Sequence, residues 1–165
     1  METDMTLSQT YFTHNSPLGV IYEARLLSQE HVAAHSCILH NTDSGTDIRV
    51  HIIDPNEDRK FIQKLPGQGI YISDEGEKGF IGYYDYRLED DGSVTSRAFY
   101  LHPLHRNRGI MRDVVFYVIN LAEDGTVYNQ HIIANRYICN VVDDLIDYFS
   151  ENNRNVVINY TKGYE

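Results

Sequence analysis

The sequence has no tryptophan, only two cysteines and four prolines, and too few basic residues to balance its acids: 14 Lys and Arg against 24 Asp and Glu, a formal net charge of -10. Each shortage excludes something. Cys37 and Cys139 lie far apart with no CxxC pair, so neither a disulfide framework nor a zinc module is indicated. A surface this acidic argues against general binding to a nucleic-acid backbone, which draws its affinity from counterions released by Lys and Arg. The longest apolar run, Val114–Ile119, is far too short to span a bilayer. The opening METDMTLSQTYF lacks the basic-then-apolar pattern of a secretory signal. No Pro-, Gly- or Ser-rich linker divides the chain. The expectation is a cytoplasmic protein with one domain over residues 18–165, behind a loose polar segment at 1–17, with neither a membrane nor a nucleic-acid partner.

What is present suffices for a core, since 42% of the 165 residues are hydrophobic. Val20–Leu27 reads as a strand, and Ser28 as the N-cap of a helix over 29–39. Ile48–Ile53 reads as a short strand stopped by Asp54-Pro55, and Asn56–Leu65 as a helix ended by Pro66-Gly67. Ile70–Ile72, Phe80–Leu88 and Val94–Leu101 read as three antiparallel strands, the last two joined by the tight turn Glu89-Asp90-Asp91-Gly92. After Pro103 the period changes. Ile110, Met111, Val114, Val115, Val118, Ile119 and Ala122 recur at helical intervals, although their β-branched side chains also permit a strand there. Val127–Ala134 reads as a strand, Val141–Phe149 as an amphipathic helix and Val156–Tyr160 as a closing strand. The fold class expected is α/β, with a mixed, mainly antiparallel sheet flanked by helices.

One segment reverses the charge of the whole. Residues 101–112 (LHPLHRNRGIMR) hold three arginines, two histidines and no acid. They fall where a strand ends and a helix is expected to begin. A helix start carries unsatisfied N–H groups and the positive end of the dipole, and Gly109 permits close backbone approach, so the position suits a phosphate-bearing ligand. The alternative is a solvated basic turn paired with acids such as Asp113.

The stretch from Phe99 to Met111 resembles the pyrophosphate-binding motif of the GNAT superfamily of N-acetyltransferases, L-x-V-x-P-x-x-R-x-x-G-x-G/A. Phe99 and Leu101 stand at the apolar positions, Pro103, Arg106 and Gly109 at the Pro, Arg and first Gly, and Met111 replaces the last small residue. The element order from about residue 70 to 150, with Gly82 in the strand at 80–88, resembles that family too. The resemblance implies acetyl-CoA as cofactor, held by main-chain N–H groups of Arg106, Asn107, Arg108, Gly109, Ile110 and Met111, with Asn140 on the cofactor side. It implies that the Leu101 N–H polarises the thioester carbonyl, and that the acetyl group passes to a primary amine of a small molecule or protein. For the base it leaves Asp85 and His102, because no acid lies between Thr95 and Leu101; for the acid that protonates the thiolate it offers Tyr148. Met111 and the missing acid also allow a non-catalytic acidic binding protein. No metal site is expected: His31, His35, Cys37 and His40 lack a matching acid.

Overall fold

The computed structural model describes residues 10–27, 45–60, 78–121, 125–130 and 136–160. Among these residues seven strands form one sheet in chain order. They are β1 (Thr10–Asn15), β2 (Ile21–Leu26), β3 (Thr46–Ile53), β4 (Phe80–Leu88), β5 (Val94–Leu101), β6 (Val127–Gln130) and β7 (Val157–Asn159). Strands β1 to β5 are antiparallel to their neighbours, whereas β5, β6 and β7 run parallel. Parallel neighbours need long crossovers. Helices α1 (Ile110–Asn120) and α2 (Arg136–Glu151) supply them. The architecture is thus α/β with a mixed, largely antiparallel sheet.

Helix α1 settles the ambiguity of its own sequence. Ile110, Met111, Val114, Val115, Val118 and Ile119 are all buried on one side, and they share a core with Tyr22, Ala24, Ile48, Val50, Ile52, Tyr84 and Tyr86 of the sheet. Burial of a valine or isoleucine side chain is worth roughly 1.5–3 kcal/mol, which outweighs the few tenths that β-branching costs a helical residue. Helix α2 adds Val141, Leu145 and Phe149 to the same core.

Two expectations are corrected. The loose segment expected through residue 17 contains β1, whose Phe12–Asn15 pair with Ala24–Ile21. The helix expected at 56–65 is not helical over its described part, Asn56–Lys60. The expected elements at 29–39 and 70–72, and the rest of 56–65, fall outside the described residues, as does the His31–His40 set. Among the described residues no helix is long and apolar enough to cross a membrane.

The other sheet face is charged and nevertheless buried. Cross-strand register places Arg49 opposite Asp85 and Asp47 opposite Arg87. Arg49 binds Asp85 through Nε at 2.8 Å and Nη2 at 2.9 Å, with its guanidinium 3.8 Å from the Tyr83 ring centroid. Asp47 receives both Arg87 at 2.9 Å and Arg97 at 3.1 Å. Charges leave water only when paired, and here the β3–β4 register makes two of the pairs, Arg49 with Asp85 and Arg87 with Asp47, while Arg97 reaches Asp47 from β5.

Candidate functional site

The site begins at the end of β5. There the N–H of His102 donates to the Ile81 carbonyl at 2.7 Å. Successive residues of a strand point their amides to opposite sides, so Leu101, the residue before it, turns its N–H and carbonyl away from β4. The carbonyl bears this out by accepting Arg106 Nε at 2.8 Å. Two features bring β5 into this position. Arg97 is the extra residue of a bulge, because Asp85 pairs with Ala98 while Tyr86 pairs with Ser96. Gly82 permits close approach of the strands, since a Cβ there would lie 2.3 Å from the Tyr100 carbonyl oxygen. Among the described residues β6 meets β5 at Val94–Ser96, so there the last part of β5 has its sheet partner in β4 alone.

Beyond β5, Pro103–His105 form one turn of 3-10 helix, where the fixed φ of proline is tolerated at the first position. The His102 side chain caps it, Nδ1 accepting the Leu104 N–H at 3.2 Å. Asn107 and Gly109 then adopt left-handed conformations, with φ of 64° and 79°. Gly109 is the N-cap of α1 and offers no side-chain cap. The first helical bond runs from the Asp113 N–H to the Gly109 carbonyl at 3.0 Å. The N–H groups of Ile110, Met111 and Arg112 therefore precede the helical ladder and face forward. Open space surrounds the position of a Cβ on Gly109. Met111 is 6% exposed and belongs to the core, so its length does not obstruct the turn.

The arginines have definite partners. Arg106 clasps the Leu101 carbonyl. Arg108 reaches Asp54 Oδ2 at 3.4 Å and His105 Nδ1 at 3.0 Å. Arg112 crosses to Asp144 of α2 and lies over the Phe116 ring. His105, itself buried, bonds Glu57 Oε1 at 2.8 Å. Arg59 holds the same carboxylate at 2.8 Å through both Nε and Nη2, and those bonds keep Glu57 well below the usual carboxylate range. The basic turn is thus seated on the segment after β3. Asp113 is not its partner: that carboxylate accepts the hydroxyls of Ser16 and Tyr22. Burial, reinforced by the Asp113 bond, pushes the Tyr22 phenol far above its ordinary value.

No protein-family model matches the chain, and no curated protein and no solved structure matches it.

The geometry separates the remaining candidates. Leu101, His102, Arg106, Asn107, Arg108, Gly109, Ile110 and Met111 come together as one strand end, turn and helix start. Asp85 stands apart in its buried bidentate pair with Arg49, where both oxygens are occupied. Burial, and then the neighbouring His105, Arg59 and Arg106, lower the His102 pKa from its ordinary 6.5. Its Nδ1 lone pair is already taken by Leu104. Tyr148 packs against Phe116 and Phe149, with ring centroids at 5.4 and 5.5 Å. Asn140 is exposed on α2. Sequence reasoning missed Asp54, Glu57, Arg59 and Asp144 as partners of the turn. Asp54, Glu57 and Asp144 are marked in the sequence only by negative charge in an acidic chain, Arg59 only by its own positive charge, and Asp54-Pro55 reads solely as a strand stop.

Proposed function

We propose that this chain is a GNAT-like domain that binds acetyl-CoA by its pyrophosphate at the turn before α1 and transfers the acetyl group to a primary amine. The observation that carries the reading is the conjunction at one point of a strand end whose amide turns out of the sheet, a left-handed glycine N-cap, and three N–H groups ahead of the helical ladder. The residues present fit the group: the space over Gly109 is open, and Met111 is turned into the core. The amides of Ile110, Met111 and Arg112 would hold the pyrophosphate, aided by the positive end of the α1 dipole and by Arg106 and Arg108. Bound there, acetyl-CoA supplies an activated thioester.

The chain's own contribution is positioning and polarisation. The Leu101 N–H, aimed away from β4, donates to an acyl oxygen placed beside it, and Arg106 holds that strand end in place through the Leu101 carbonyl. The net charge of -10 favours a cationic acceptor, small molecule or protein. An alkylamine is mostly protonated at neutral pH, with a pKa of about 10.4, so it must lose a proton before it reacts. Asp85 cannot take that proton while Arg49 occupies it.

That same observation favours a second reading, cofactor binding without transfer. One experiment tests both. Isothermal titration with acetyl-CoA measures binding, and release of free thiol in the presence of polyamines and lysine peptides measures transfer. Binding with thiol release supports the transferase, binding alone supports the second reading, and no binding at millimolar acetyl-CoA contradicts both.

A further inference from the structure

We propose that Arg108 and Asp54 form a latch that holds the anion site back, and that a diphosphate-bearing ligand opens it. This inference rests on the reading of the site given above. Arg108 lies between the two left-handed residues of the turn, and its guanidinium is drawn onto the end of β3, 3.4 Å from Asp54 Oδ2 and 3.0 Å from His105 Nδ1.

The two partners differ in how firmly they are held. Asp54 has 10% of its side chain exposed, and its Oδ1 accepts the Asn56 N–H at 2.9 Å. Its main chain is tied to Gly79 at 2.8 Å and to Glu57 at 3.0 Å. Arg108 keeps 42% of its side chain in solvent, so it is the partner able to leave. A long ion pair with one partner this exposed is weak, whereas a phosphate offers the guanidinium fork two oxygens at once. Every molecule with the latch closed lacks one cation of the site, and apparent affinity falls by the fraction that is open.

Neutralising Asp54 should therefore tighten binding, by about two- to fivefold given the usual strength of such pairs. Removing a negative charge near any anion site would also help through the field alone, so the effect must be shown to run through Arg108. The test is a double-mutant cycle on the full chain: wild type, Asp54→Asn, Arg108→Ala and both together. Binding of inorganic pyrophosphate and of coenzyme A is measured by isothermal titration at fixed ionic strength. Asp54→Asn keeps an amide oxygen for the Asn56 N–H.

The latch requires a gain on Asp54→Asn that disappears in the Arg108→Ala background. A gain that persists undiminished there, or no gain at all, overturns the latch while leaving the site in place. Failure of every folded variant to bind either probe removes the site and the latch with it. Should Asp54→Asn not fold, the Arg108 Nε resonance of the wild type decides the matter: it must shift as pyrophosphate saturates the protein, and a fixed resonance overturns the proposal.

Discussion

Replacing Asp85 by Asn separates a catalytic carboxylate from a structural one. Arg49 and Asp85 have 1% and 3% of their side chains exposed, and they share two hydrogen bonds of 2.8 and 2.9 Å. Asp85→Asn leaves the Arg49 charge buried against a neutral amide. Breaking one side of a buried pair costs about 3–5 kcal/mol. In a chain of 165 residues, each kcal/mol lowers Tm by roughly 2–4 °C, so the variant should melt on the order of 10 °C below the wild type. Urea unfolding followed by far-ultraviolet circular dichroism measures the loss directly; tyrosine fluorescence is a second probe, since the chain has 13 tyrosines and no tryptophan. The companion variant Arg49→Met/Asp85→Leu removes both charges and should recover most of the loss, because well-packed apolar replacements of such pairs are often neutral. An Asp85→Asn chain within about 1 kcal/mol of the wild type, well under the cost of an uncompensated buried charge, would refute the reasoning and return Asp85 to the list of bases.

Burial holds the Tyr128 phenol up to about 12 and also raises Tyr84 and Tyr22. The unfolded phenols ionise near 10.0, so the unfolded chain sheds protons that the folded chain keeps. Stability should fall from pH 10 toward 12 by about 1.4 kcal/mol per pH unit for each phenol. Urea midpoints at pH 9, 10 and 11 should drop less steeply for Tyr128→Phe, and parallel slopes would count against the account. Gly82→Ala should fail to fold or lose several kcal/mol, of the order expected for an overpacked site, because its Cβ would sit 2.3 Å from the Tyr100 oxygen; thermal melts of the purified variant check this. Gly109→Ala should lose only about 1–2 kcal/mol, the cost of a left-handed conformation, since its Cβ meets open space. In the same variant acetyl-CoA binding should weaken, and unchanged affinity would show that no phosphate approaches that backbone.

What could be read from the sequence was local. The hairpin Phe80–Leu101 has its bounds as expected because Gly92 and the acidic turn mark the reversal chemically. Helix α1 was legible in its apolar stripe once burial is weighed above propensity. Strand β1 was hidden because TYFTHN is polar and lies at the edge of the sheet, where one apolar residue, Phe12, packs against the core. The pairs Arg49–Asp85 and Arg87–Asp47 on the charged sheet face join residues 36 and 40 positions apart. They follow only from register, which the sequence does not disclose without the strand partners. The turn at 102–109 was visible as a reversal of charge, but its seat on Asp54 and Glu57 depends on long-range contacts. Asp113 was the nearest acid in sequence, yet the hydroxyls of Ser16 and Tyr22 claim it.

A diphosphate should land on the turn that leads into α1. Amide resonances recorded while coenzyme A is titrated into the uniformly labelled protein give the answer at single-residue resolution. The largest shifts should fall on Leu101 and on Gly109, Ile110, Met111 and Arg112, with Arg106→Ala weakening the titration without moving its site. Shifts that spare these residues, or that cluster elsewhere on the sheet, would contradict it.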